Sequence, residues 1–229
     1  MKKRRSVLIL AVITIFFASL FLTVPQHAEA ASAKTKIKKL VANMSTYEYV
    51  LLFDTGLKVG EGYEVVLSDT EKATAAALTV PLNEETYVCD VGDLGWEYLY
   101  SVSNKRIKSM SKKLFGKSVS YKKIPKGTWE DVHGFLGVYR DDTGKVLFYL
   151  WDGETETDSE TIDMSIKKSG KGYKVVKNVY HGYWGWNDHK TANYRITYMV
   201  GKNSASSYGY VITGMTIECI KNINPSEDN

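Results

Sequence analysis

The chain has 229 residues, of which 44% are hydrophobic and 24% charged, a composition typical of a globular protein with enough apolar material for a core. Its formal net charge is +4, but residues 1–30 contain four basic residues and one acidic residue, which leaves 26 basic and 25 acidic residues in the rest. This balance argues against a nucleic-acid-binding protein, because such proteins need clustered basic surface to displace counterions from phosphates.

Residues 1–30 have the three parts of a secretory signal peptide. Lys2 to Arg5 are basic, Val7 to Leu22 form an apolar run, and Ala28-Glu29-Ala30 is a small-x-small cleavage site. The apolar run is at the short end of the length that spans a bilayer, so an uncleaved anchor is the alternative. We expect an exported protein that is secreted or associated with the cell surface, with no stable membrane span after cleavage.

Two helices are expected in the segment that follows. Residues 31–45 are small and basic and predict a flexible lead-in. Residues 46–58 form an apolar run that periodicity alone does not assign to helix or strand, and we favour helix. Ser68 and Glu71 form a capping box, in which the serine oxygen accepts from the third helical amide and the glutamate reaches back. The helix that it begins should end before Pro81.

A further helix is marked more clearly. Asn104 is expected to cap its N-terminus and Gly116 to end it. Ile107, Met110 and Leu114 fall on one face at helical spacing, and lysines cover the opposite face. A basic amphipathic helix of this kind suits an anionic membrane surface, but we favour a solvated outer face on a helix that packs against the core.

After Gly116 the pattern changes to strands. Val119 and Tyr121 alternate with serines, and a strand is expected over residues 135–139. Residues 145–151 would be apolar on both faces of a strand, which predicts a central strand. The residue types of 141–144 between them are those of a hairpin turn.

Four more strand-like segments follow. Residues 162–167 alternate cleanly between apolar and polar. Residues 173–180 change parity partway, which we interpret as a bulge or twist. Residues 194–200 place Tyr and aliphatic side chains on one face. Residues 208–220 are apolar on both faces, so this strand is expected to be covered on both sides.

Helices followed by antiparallel strands predict a single α+β domain over residues 46–220. We expect the N-terminal helices to pack on one side of a curved antiparallel β-meander. Residues 221–229 are expected to be a flexible tail.

Two local features carry a family resemblance. Leu114-Phe115-Gly116 ends a helix, and Ser207 to Ile212 begins the final strand. In the order of its elements the chain is similar, over about residues 65–220, to small exported proteins of unknown function from Gram-positive bacteria. The resemblance implies an NTF2-like or cystatin-like domain, in which a helix lies against a bent sheet. The concave sheet face of NTF2-like proteins can hold a small ligand, but no residue here matches a functional motif of that class.

The first candidate site is an aromatic turn near the C-terminal strands. Flat aromatic faces beside short polar groups suit stacking on sugar rings and hydrogen bonding to their hydroxyls, and Trp and Tyr are favoured at protein interfaces. The alternative is that these rings fill the end of the curved sheet. The candidate residues are Tyr180, Tyr183, Trp184, Trp186, Asn187, Asp188 and His189.

Two other groups of polar residues are candidates for metal sites. The acidic hairpin 152–158 has carboxylates at alternate positions, but its spacing does not match a calcium-binding loop, so a solvated loop is favoured. His181, Asp188 and His189 lie near the same turn, yet nothing fixes the tetrahedral array that zinc requires. We therefore predict no metal site and no cofactor.

Cys89 and Cys219 leave two interpretations open. An exported protein can join them in one disulfide that closes a long loop. The alternative is two buried thiols, since Cys219 lies on an apolar strand face. Thiol catalysis would need Cys89 beside His133 or His189, and Cys89 has no recognisable nucleophile context.

These features favour an exported domain, without enzymatic activity, that binds a cell-wall glycan or a surface protein through the aromatic turn and the neighbouring sheet face. The second hypothesis is an NTF2-like domain that binds or hydrolyses a small ligand in a pocket between helices and sheet. A third is an envelope protein of stress or assembly with no ligand.

Overall fold

A computed structural model of the chain describes residues 32–53, 55–79, 86–90, 96–127, 138–140, 146–149, 157–184 and 189–222. The expected signal peptide, the hairpin turn 141–144, residues 152–156 of the acidic hairpin and the tail from residue 223 lie outside the described residues. These assignments stay predictions. The expected flexible tail is wrong for residues 221 and 222, which end the last strand, Tyr210–Asn222.

The helices that the structure describes are four in number. They are α1 at 32–42, α2 at Ser45–Phe53, α3 at Asp69–Ala77 and α4 at Asn104–Phe115, with a short 3-10 helix at Tyr121–Lys123. Within these described ranges, no helix is both long and apolar enough to cross a membrane.

Nine strands are described. They are β1 Gly62–Glu64, β2 Thr86–Asp90, β3 Trp96–Val102, β4 Val138–Arg140, β5 Val146–Tyr149, β6 Thr157–Ser169, β7 Gly172–Trp184, β8 His189–Lys202 and β9 Tyr210–Asn222. They form a five-stranded sheet in the order β1-β9-β8-β7-β6 and a four-stranded sheet in the order β2-β3-β5-β4, with antiparallel neighbours throughout.

The α+β class with antiparallel strands is confirmed, but the single meander is not. Among the described strands, only β6 to β9 follow one another as a meander, and β1 joins them at the edge beside β9. Two strands, β2 and β3, precede α4 where no strand was expected, and they belong to the second sheet. The predicted central strand is confirmed, because β5 lies between β3 and β4.

The expected flexible lead-in is wrong for the described residues 32–45, because 32–42 form α1. The apolar side chains of α1 and of the turn after it recur at helical spacing and are buried in the core; they are Ala33, Ile37, Leu40, Val41 and Met44. Four lysines between them gave the segment its basic composition. The segment is helical because its apolar stripe packs on the core, and a helix is stabilised mainly by the face that it packs.

The capping box before α3 is confirmed in one half. Ser68 accepts a hydrogen bond from the amide of Glu71 at 3.1 Å. The Glu71 carboxylate does not reach back but accepts from the hydroxyl of Tyr47 on α2, while the Ser68 amide donates to Val66 at 2.7 Å. The preference for helix over residues 46–58 is confirmed for the part that α2 covers.

The N-cap of α4 is one residue earlier than expected. Ser103 caps the helix by accepting from the amide of Arg106 at 3.3 Å, whereas Asn104 accepts from the amide of Tyr121 at 3.1 Å. Gly116 ends the helix with φ of 73°, as predicted. The predicted apolar face is buried against the core. Tyr121, expected in a strand, begins the 3-10 helix.

The expected irregularity in β7 is absent. β7 pairs with β8 from Tyr173 to Trp184 without a register shift, and the shift on its other side lies in β6, between Thr161 and Asp163. The expected face of β8 is buried as predicted. β9 is covered on both sides only at its start, because Thr213 and Thr216 are exposed.

Candidate functional site

The predicted aromatic turn is the connection between β7 and β8. Tyr183 and Trp184 end β7, His189 begins β8, and Trp184 is the register partner of His189. Of the predicted set, the side chain of Tyr180 alone is described, and Trp186, Asn187 and Asp188 lie outside the described residues. The strands thus bring the two ends of the turn together. The expected turn is shorter than predicted, because residues 181–184 still belong to β7, and Tyr180 lies within the sheet.

Tyr180 belongs to the side of the five-stranded sheet that faces away from the helices, which we call the outer face. Even-numbered residues of β7 are on this face and are half-buried or exposed up to Tyr180, whereas Val175, Lys177, Val179 and His181 are buried beneath the sheet. The outer face also carries polar side chains of the neighbouring strands: Glu160, Asp163, Asn193, Arg195, Glu218 and Lys221.

Two parallel rows cross the outer face. In one, Glu160, Tyr180, Asn193 and Lys221 are successive register partners from β6 to β9. Residues directly opposite one another on neighbouring strands have Cβ atoms about 5 Å apart. Tyr180 is therefore bordered by a carboxylate on one side and an amide on the other.

The adjacent row is held by side-chain contacts. Asn178 donates to both carboxylate oxygens of Asp163, at 3.1 and 3.0 Å. Arg195, opposite Asn178, pairs with Glu218 at 3.0 Å, and each of these two side chains is more than two fifths exposed. The polar side chains of this row are held by hydrogen bonds and an ion pair, and they lie next to the Tyr180 row.

Gly182 determines how Tyr180 can lie. A Cβ atom at residue 182 would be 3.0 Å from the Tyr180 hydroxyl oxygen and 3.3 Å from two ring carbons. The aromatic ring therefore extends along the strand over the glycine, toward the turn. A side chain at 182 would push the ring away from this position.

His181 points to the other side of the sheet from Tyr180. Its ring is buried and makes edge-on contacts with Tyr49 at 5.5 Å and Tyr194 at 6.4 Å between centroids. Within the part of the chain that the structure describes, no three His, Cys, Asp or Glu side chains form a group that could hold a metal ion.

Beneath the sheet lies a polar cluster that the sequence did not predict. The Lys177 ammonium and the Tyr198 hydroxyl both donate to the carboxylate of Glu48 on α2, one to each oxygen. Glu48, Lys177 and Tyr198 are 2%, 5% and 0% exposed. The two charges and the hydroxyl satisfy one another away from water, as buried ionisable groups require.

A second buried tyrosine lies next to this cluster. Tyr47, 1% exposed, donates to the carboxylate of Glu71. Burial and the contact with Glu71 raise the pKa of Tyr47 far above its ordinary value. Burial and the Glu48 carboxylate likewise raise the pKa of Tyr198. Both hydroxyls therefore stay protonated as donors.

The sequence carries a signal for this cluster that does not identify the pair. Lys177 falls on the buried face of β7, between Val175 and Val179. Glu48 is the one charged residue of α2, Ser45–Phe53. The ion pair explains why each charged residue is buried. Because the two residues are 129 positions apart, the sequence alone does not show that they pair.

Cys219 is buried in β9. The side chain of Cys89 lies outside the described residues, so the pairing of the two cysteines stays a prediction.

Comparison of the sequence with models of known protein families, with curated proteins and with solved structures found no match.

Proposed function

We propose that this chain is an exported domain without catalytic activity that binds a cell-wall glycan on the outer face of the five-stranded sheet and on the adjoining β7–β8 turn. In architecture we propose an NTF2-like or cystatin-like arrangement, with helices against a bent sheet. The Gram-positive cell surface is the location that the resemblance and the expected signal peptide imply.

The proposal rests on the arrangement of residues around Tyr180. Its ring lies along the strand above Gly182, and Asn193 and Glu160 flank it in register. An aromatic face offers a sugar ring an apolar platform, and the flanking amide and carboxylate offer hydrogen bonds to hydroxyls. We propose that Trp184 and Trp186, which follow in the sequence, contribute to the binding.

Two amide oxygens add capacity for hydrogen bonding. The side-chain oxygens of Asn178 and Asn193 are buried and have no hydrogen-bond partner among the described residues. An unsatisfied buried acceptor is costly. The Asn178 amide is held by Asp163, but a rotation of the Asn193 amide would present its oxygen to a sugar hydroxyl, which would satisfy it.

The proposal is tested by retention on cell-wall glycan. The protein produced from the full chain is passed over immobilised glycan beside three variants: Tyr180→Ala, Trp184→Ala/Trp186→Ala, and Tyr63→Ala as the matched control. Tyr63 is an exposed tyrosine of the same sheet, 37% accessible, but it lies on β1 at the other end of the sheet and not on the outer face.

We expect native retention from Tyr63→Ala and at least a roughly tenfold weaker affinity from the other two, the factor that corresponds to about 1.4 kcal/mol. Far-ultraviolet circular dichroism and a melting curve establish that each variant is folded. Equal retention of the folded Tyr180→Ala and native forms would refute the assignment of the outer face.

The second candidate function is an NTF2-like domain that binds a small ligand between helices and sheet. It is favoured by the convergence of Glu48 and Lys177 beneath the sheet. Their mutual pairing and the buried ring of Tyr198 occupy that space, which is why the outer face is preferred. Glycan retention that Glu48→Gln abolishes and Tyr180→Ala leaves unchanged would reverse the preference.

A further inference from the structure

β6 is an edge of the five-stranded sheet. It is 13 residues long, and among the described strands it pairs with β7 alone. Its side chains are exposed from Ser159 to Asp163 and again at Ser165, Lys167 and Lys168. A long open edge offers backbone N–H and C=O groups to another strand, so its side chains decide whether and with what it pairs.

The charges of β6 are segregated along the strand. Asp158, Glu160 and Asp163 precede Ser165, and Lys167 and Lys168 follow it. The register shift between Thr161 and Asp163 interrupts the strand, but from Asp163 to Ser169 its pairing with β7 is regular. The regular part therefore begins with a carboxylate and ends with two ammonium groups.

We propose that the partner of this edge is the β6 strand of a second copy of the chain, antiparallel and centred on Ser165. In this register Asp163 of each copy is opposite Lys167 of the other, Met164 is opposite Ile166, and Ser165 is opposite its own counterpart. From Asp163 to Lys167, the regular part of the strand, residues opposite one another then lie on the same face of the sheet, as pairing requires. The two five-stranded sheets become one continuous ten-stranded sheet.

The like-charged neighbour of Lys167 within one copy supports this register. Its partner on β7 is Lys174, and both lie exposed on the outer face. Like charges directly opposite one another destabilise a strand pair. A carboxylate of a second copy on the free side of Lys167 would offset this repulsion, and the proposed register supplies Asp163 there.

The other face of β6 supports the same register. Met164 and Ile166 are half-buried and pack on the edge of the core. In the proposed dimer, Met164 of one copy lies opposite Ile166 of the other. Both side chains would then lose further contact with water, which favours association. Charged residues on an edge strand often prevent pairing, but here parallel pairing or pairing centred on Lys167 would place lysines together. The charges thus disfavour those two arrangements and favour pairing centred on Ser165.

The experiment uses charge reversal and mixing. Native protein is expected to show a concentration-dependent shift from the mass of one copy to the mass of two in sedimentation or light scattering. Lys167→Glu and Asp163→Lys each place like charges opposite one another, so each alone should raise the dimer dissociation constant at least roughly tenfold. An equimolar mixture of the two should form dimers again, because both cross-strand pairs are then of opposite charge.

Two further proteins complete the design. The double variant Asp163→Lys/Lys167→Glu should dimerise like the native form, which separates pairing from the loss of the contact between Asp163 and Asn178. Lys202→Glu makes the same charge change on β8, away from β6, and should leave the dimer unchanged. A native protein that stays monomeric at its highest soluble concentration, or single variants that dimerise like the native form, would overturn the proposal.

Discussion

Lys177 of β7 donates to the carboxylate of Glu48 on α2, 129 positions earlier in the chain, with both side chains almost completely removed from solvent. A lysine on the buried face of a strand is costly unless its charge is paired. The pair therefore fixes which residue of α2 lies over the middle of the sheet. Tyr198 donates to the second oxygen of the same carboxylate and completes the arrangement.

Removal of one partner should be more harmful than removal of both. Lys177→Met leaves the Glu48 carboxylate buried without its cation, and we expect the free energy of unfolding to fall by about 3–5 kcal/mol. Glu48→Leu/Lys177→Met should recover most of that loss, because no unpaired charge then stays in the interior.

Urea denaturation measures both values. Lys174→Met, an exposed lysine of the same strand, is the matched control and should change the stability by less than about 0.5 kcal/mol. A double variant as unstable as Lys177→Met would show that the pair matters through packing and not through charge.

The buried tyrosines should make the fold sensitive to alkali. The pKa values of Tyr47 and Tyr198 are raised in the folded state, whereas tyrosines of the unfolded chain titrate near pH 10. Their contribution to stability is therefore complete below about pH 10 and is lost as the pH rises further, because only the unfolded chain releases these protons.

Each such tyrosine should contribute a decrease of about 1.4 kcal/mol per pH unit above pH 10. Tyr47→Phe should be less stable at neutral pH, since Glu71 loses its donor, but should show a shallower decrease in alkali. Urea denaturation at several pH values between about 9 and 11 checks this. Identical alkaline slopes for the native and variant proteins would contradict it.

Asp69 should act at the opposite end of the pH range. The hydrogen bonds that Lys117 donates to its two oxygens, at 2.7 and 2.8 Å, lower the pKa of Asp69. Stability from this contact is present above the ordinary pKa of about 3.9 and is lost as the pH falls through the lower, folded-state value.

We therefore expect Asp69→Asn to flatten the decrease in melting temperature below about pH 4. Lys117→Ala should flatten it in the same way, because it removes the donor. Since both side chains are accessible, salt should weaken the native effect. An acid transition that neither substitution alters would exclude this contact as its cause.

Local signals predicted the parts of the fold that one segment can specify. The alternation of Tyr194, Ile196 and Tyr198 gave the buried face of β8, and the glycine at 116 gave the end of α4. Segments whose partner lies far along the chain were harder. Residues 32–42 looked basic because their apolar stripe is narrow, and β2 and β3 depend on a sheet whose other strands follow α4.

The candidate site was predicted only as a location. Tyr180 was identified from the aromatic turn, but Asn193 and Glu160 are 13 and 20 positions from it in sequence and become its neighbours through register. Register across three strands follows from their pairing, which no single strand specifies. The polar residues around Tyr180 therefore could not be assigned to it from the sequence.

The pairing of β1 with β9 has a consequence for the order in which the chain can fold. Gly62 to Glu64 pair with Thr216 to Glu218, and α2 finds its polar partners on β7 and β8. During synthesis the N-terminal helices must therefore wait, with their apolar faces exposed, for strands made more than a hundred residues later. Contacts so distant in sequence slow folding. The last strand to be synthesised therefore completes the packing of the first elements, and the sheet cannot acquire its β1 edge before the C-terminal residues emerge.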